Sequence, residues 1–184
     1  APYATKIHPL ALHDALPIWL DVTDSTVLKG GGRKIAEEIS RRVKRELGIT
    51  VSIGISWNKI FAKLGSDYKK PDGITAFTKE NYKELLWRLP AADLLYVGRS
   101  TRNTLNRYGI KTIGELALSD PKFLERLLGK MGLVLYTFAN GWDESPVSPQ
   151  GYEAPVKSIG NSTTTPRDLR SEEHTSELQS RITI

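Results

Sequence analysis

Residues 52–75 read SIGISWNKIFAKLGSDYKKPDGIT, and the pattern of apolar positions changes twice within and around them. Ile49, Val51, Ile53, Ile55 and Trp57 alternate with Thr50, Ser52, Gly54 and Ser56, the period of two that sets one face of a strand on a core. At Asn58 the period lengthens. Ile60, Phe61 and Leu64 then share one face of a helix over 58–70, opened by an Asn-Lys pair, and Pro71-Asp72-Gly73 closes it as a turn. ITAF (74–77) reads as a second short strand. Strand, helix and strand in this order predict an α/β layer.

Outward from this unit, WLDVT (19–23) alternates large and polar side chains and reads as a further strand, followed by a flexible Gly30-Gly31-Gly32 junction. Between Arg33 and Leu47 the apolar residues Ile35, Ile39, Val43 and Leu47 recur every fourth position, and Gly48 stands where a helix stops. Downstream, Thr78 is placed to cap a helix over 79–89 that ends at Pro90. Residues 19–89 thus predict β-α-β-α-β-α. Beyond Pro90 the pattern is helical throughout: Thr112 and Glu115 form a capping box, and Asp120 followed by Pro121 starts another helix. GWDESPVSPQGYEAP (141–155) reads as a linker. No repeat of solenoid period is present.

The composition narrows the function classes. The 184 residues carry 26 Lys and Arg against 21 Asp and Glu, and no Cys. A disulfide framework, a thiolate zinc site and a Cys nucleophile are therefore excluded, and an intracellular setting is expected. No apolar run approaches the roughly 18–20 residues of a membrane span. Residues 170–180, RSEEHTSELQS, match the in-frame translation of a sequencing-library adapter, and 12–18, LHDALPI, match the opposite adapter. We therefore expect 19–169 to be the biological insert, with 1–18 a leader and 170–184 a tail. Setting aside Lys6, Asp14, Arg170, Arg181, Glu172, Glu173 and Glu177 leaves 23 basic and 17 acidic residues in the insert, so its basicity is its own. His8, His13 and His174 all fall in the flanks.

LLYVGRSTRNTLNRYGIKTIGEL (94–116) has glycine turns at Val97-Gly98 and Gly109-Ile110 and a polar helix start at Ser100, the spacing of a helix-hairpin-helix. Gly98 would let the backbone approach a phosphate, the amides of the following helix N-terminus would face that anion, and Arg99, Arg102 and Arg107 would add charge. The helix over 58–70 brings Lys59, Lys63, Lys69 and Lys70 toward one end of the α/β layer. Gly30-Gly31-Gly32 lacks the Gly-Lys-Ser/Thr continuation of a phosphate-binding loop, which argues against an unrelated phosphotransferase. A noncatalytic helix-hairpin-helix DNA-binding module is the alternative reading.

The run from Ser52 to Thr75, with LDVT upstream, the hairpin downstream and KSIGNSTTTPRDL at 157–169, resembles the Y-family translesion DNA polymerases of the DNA polymerase IV type. The resemblance covers the whole insert. It implies an α/β (α+β) fold, an incomplete ferredoxin-like palm at 19–89 followed by a small all-α helix-hairpin-helix thumb at 90–141, a linker at 142–155 and the start of a little-finger domain at 156–169. It implies template-directed phosphoryl transfer from a deoxynucleoside triphosphate to a primer 3′-hydroxyl, with primer-template DNA as partner, a sliding clamp reached through a C-terminal tail, and a cytoplasmic setting. Two Mg²⁺ ions assist such a displacement, held by carboxylates. The family's acidic pair would fall at Leu16 and Pro17, so the resemblance leaves no catalytic residue here and implies an inactive fragment; Asp21 and Asp24 are not expected to replace it. Lys70 matches the triphosphate-contacting lysine, and Asp67 would neutralise the basic cluster. Val97, Gly98, Arg99 and Ser100 match the thumb hairpin that holds primer-strand phosphates, with Arg102 adding charge beside it; Lys157 opens the little finger, which in the family binds DNA, and Tyr96 stands where the family often has Gly.

Overall fold

The structure is a computed structural model that describes residues 18–25, 31–149 and 152. Its described elements are α1 (Gly31–Leu47), β1 (Ile53–Ile55), α2 (Lys59–Tyr68), β2 (Ile74–Ala76), α3 (Tyr82–Leu86), a 3-10 turn (Ala91–Asp93), α4 (Arg99–Arg107), α5 (Ile113–Leu118), α6 (Pro121–Leu128) and α7 (Lys130–Ala139). β1 and β2 run parallel with Ile53 opposite Ile74, Gly54 opposite Thr75 and Ile55 opposite Ala76, and α2 connects them. Ile53 N–H donates to Gly73 C=O at 2.8 Å and Phe77 N–H to Ile55 C=O at 2.9 Å, which closes the ladder at both ends.

The helix packs unusually close to the strand. A Cβ on Gly54 would stand 1.8 Å from the Ala62 carbonyl oxygen and 2.5 Å from Ser66 N, so only a residue without a side chain lets α2 settle on β1. Asn58 caps α2 by accepting from Phe61 N–H at 2.8 Å. Helix starts written in local sequence form as expected: Thr112 and Glu115 complete a capping box on α5, and Asp120 caps α6 with Pro121 at its first position.

Four expectations are corrected. WLDVT does not form a strand; the Thr23 amide and hydroxyl both donate to Asp21 Oδ1, at 3.0 and 2.7 Å, and this Asx turn competes with extended pairing. The alternating run from Ile49 to Trp57 is strand only over Ile53–Ile55, because its partner offers three residues. Helix 79–89 shrinks to α3, and Thr78 does not cap it: Asn81 Oδ1 accepts from Thr78 N–H at 2.9 Å and closes a turn ahead of the helix. Gly31 and Gly32 belong to α1 rather than to a flexible junction, while Gly30 lies outside the described residues. On α1 the buried residues are Ala36 and Ser40, and Leu47 is left 67% exposed. The small side chains let α1 lie on the sheet, so the fourth-position stripe is only partly covered.

The described residues up to Val147 form one compact unit. Phe61, Phe77, Leu86, Leu105, Ile113, Leu116, Leu124 and Leu135 are fully buried in a single cluster that runs from the α/β layer into the helices. An antiparallel bridge between Pro90 and Thr112 stitches the two parts, with Ala91 N–H donating to Lys111 C=O at 2.8 Å and Ile113 N–H to Leu89 C=O at 2.9 Å. Trp87 Nε1 adds a bond to the Ala139 carbonyl at 3.2 Å. Among the described residues, no helix is long and apolar enough to cross a membrane.

Candidate nucleic-acid interface

The lysine cluster divides along α2. Lys63 Nζ and Lys70 Nζ meet the two oxygens of Asp67 at 2.6 and 2.5 Å, so one carboxylate on the last turn of the helix holds two ammonium groups. Burial pushes the Asp67 carboxyl up, but its hydrogen bonds to Lys63 and Lys70 and their charges outweigh this and hold it below the ordinary aspartate value. Asp67 lies on the last turn of α2, within the helix expected over 58–70. Lys59 faces away from this cluster, at the N-terminal end of α2, and its Nζ donates to the Pro146 carbonyl at 2.9 Å. Lys44 pairs with Asp72 Oδ2, tying the end of α1 to the Pro71-Asp72-Gly73 turn, while Asp72 Oδ1 is buried with no hydrogen-bond partner among the described residues.

The segment 94–116 follows the 3-10 turn and runs through α4 into α5, with Gly98 ahead of α4 and Gly109 between the two helices. Gly98 is the N-cap of α4 in extended conformation, with φ −78°, and an added Cβ would meet nothing within 4 Å. Nothing inside the described chain therefore demands glycine there. The left-handed backbone sits two residues earlier, at Tyr96, with φ 70°. Val97 is half-buried against the core, whereas Arg99, Ser100 and Arg102 are exposed at the start of α4. α4 has no acidic residue, and among the described residues Arg99, Arg102 and Arg107 make no ion pair.

Sequence reasoning missed a shallow cavity of about 260 Å³ beside Arg102, floored by Leu105 and Ile110 and rimmed by Asp93, Asn106 and Lys111. Burial raises the Asp93 carboxyl, and the negative charge of Asp67 adds to the shift. The only sequence signal was the uninterrupted polar face of α4, and its neighbours arrive from two other segments.

Among the described residues no set of carboxylates fits two Mg²⁺ ions. Asp21 is occupied by Thr23, whose hydrogen bonds lower its pKa, and among the described residues no three His, Asp or Glu side chains gather. Leu16, Pro17 and Lys157 lie outside the described residues.

The impB/mucB/samB family matches residues 3–67, a span that begins ahead of the expected boundary at residue 19. DNA polymerase IV of Acetivibrio thermocellus is 53% identical over 171 residues, 93% of this chain and 42% of its own length. DNA polymerase IV of Clostridium perfringens strain SM101 is 39% identical over 98% of this chain and 48% of its own length. The chain thus spans less than half the length of these relatives. The crystal structure of DinB from Sulfolobus solfataricus superposes with a TM-score of 0.56 at 27% identity, over 62% of this chain and 34% of that one.

Proposed function

The chain belongs, over the residues these relatives match, to the DNA polymerase IV group of the Y-family DNA polymerases, and from that premise we propose that it is a palm-and-thumb fragment of a DNA-directed, translesion-type polymerase. The observation that carries this reading is the 53% identity to DNA polymerase IV over 93% of the chain, with the Lys63–Asp67–Lys70 group standing where the family string ends its helix. Lys70 contacts the triphosphate of the incoming nucleotide, with Asp67 holding the ammonium until the phosphate draws it away. The exposed amide end of α4 and Arg99, Ser100 and Arg102 hold phosphates of primer-template DNA, supported by the open space at Gly98 and by the lack of acidic neighbours on α4. Lys157 extends the DNA contact where the next domain begins, and the setting that goes with DNA as partner is the cytoplasm.

As it stands, the fragment binds DNA and does not polymerise, because the family's acidic pair is replaced by Leu16 and Pro17. Two measurements on the chain test this. Affinity for a primer-template duplex is expected to fall steeply with salt, and Arg99→Ala is expected to weaken binding and to shallow the log–log slope by about 0.9. Primer extension with Mg²⁺ and four nucleotides is expected to give no product. Templated extension would sink the inactive part, and a duplex affinity indifferent to Arg99 and Gly98 substitutions would sink the DNA-binding face.

A further inference from the structure

Three consecutive residues ahead of and at the start of α2 hold the chain that leaves α7. The Gly141 carbonyl accepts from Trp57 Nε1 and from Asn58 Nδ2, both at 3.0 Å. Asn58 is only 8% exposed, and its Oδ1 is already engaged as the cap of α2. One amide thus caps the helix with its oxygen and grips the departing chain with its nitrogen. Gly141 has φ 73°, and a Cβ there would stand 2.7 Å from Phe61 and 2.9 Å from Trp57. Five residues later, Lys59 Nζ donates to the Pro146 carbonyl at 2.9 Å. Between these anchors the Asp143 carboxylate accepts from the Ser145 hydroxyl at 2.7 Å, which folds the segment on itself.

We propose that Asn58 and Lys59 are positioning residues for the chain that leaves α7: they strap residues 141–146 onto the N-terminal end of α2, so a stretch whose composition reads as linker is held in place as far as Pro146. The division of the chain into compact units falls between Val147 and Ser148, where the strap ends. The strap does not depend on the polymerase reading.

Glutamate-specific proteolysis of the whole chain tests the strap, because Glu144 lies inside it and Glu153 beyond it. The native chain is expected to be cut after Glu153 well before Glu144. Lys59→Met is expected to raise the Glu144 rate relative to Glu153 about threefold, and Lys59→Arg, which keeps a donor, to restore it. Asn58→Ser keeps a capping oxygen but loses the amide donor, and is expected to raise the ratio about tenfold. Should that variant also speed cleavage after Glu115 and Glu125 in the helical core, Lys59→Met alone decides, since it leaves cap and core intact. An unchanged Glu144:Glu153 ratio in Lys59→Met overturns the proposal. Failure of the chain to bind DNA would overturn the DNA-binding reading of α4 and leave these ratios where they are.

Discussion

Tyr96 holds the conformation that a glycine would hold at no steric cost: φ is 70°, the side chain is 62% exposed, and the ring lies 5.9 Å from that of Phe138. A Cβ in the left-handed region crowds the following carbonyl, so the residue is retained against local strain, with only one tilted ring contact in return. The backbone at this position by itself favours Gly, without any contact to DNA. Replacing the ring while keeping or removing the Cβ separates the two contributions. Tyr96→Gly is expected to be more stable than Tyr96→Ala by about 1 kcal/mol in urea unfolding, because both lose the Phe138 contact and only Ala keeps the strain. Equal stabilities would show that this backbone carries no penalty.

At the scale of elements, the β1-α2-β2 unit depends on how near the helix comes to the strand. Gly54→Ala forces a methyl against the Ala62 carbonyl and the Ser66 amide, both backbone atoms that cannot move without breaking α2. The expected cost is at least about 3 kcal/mol, read as a fall of about 10 °C in Tm. A fall of under about 2 °C would mean that α2 can lift off β1 freely. The elements that sequence predicts well are those whose signals are local. Asn58, Thr112 and Asp120 each bond to a backbone amide two or three residues away, so three residues of context suffice to place a helix start. WLDVT failed because a strand is defined by its partner, and the short-range Asp21–Thr23 turn was the stronger local instruction. The packing of α1 through Ala36 and Ser40 was hidden behind a louder apolar stripe. In the candidate site, the Lys63–Asp67–Lys70 group follows from helical spacing, whereas the Asn58–Gly141 bond joins residues 83 apart and no short motif announces it.

For the whole molecule, one hydrophobic cluster spans the α/β layer and the helices, with Trp57 and Trp87 bonded across the junction to Gly141 and Ala139. The α/β layer and the helices that follow it should therefore unfold together: far-ultraviolet circular dichroism and tryptophan fluorescence are expected to give one coincident transition. Two separated transitions would show that the boundary at Pro90 divides independent folding units. The two-stranded sheet has a further consequence. Among the described residues β1 and β2 pair only with each other, and Leu47 and Ile49, next to β1 in sequence, are 67% and 47% exposed. Bare apolar side chains at neighbouring positions favour association between molecules. Clouding of a concentrated stock on storage is thus expected to start at Leu47 and Ile49 rather than in the well-capped helical half.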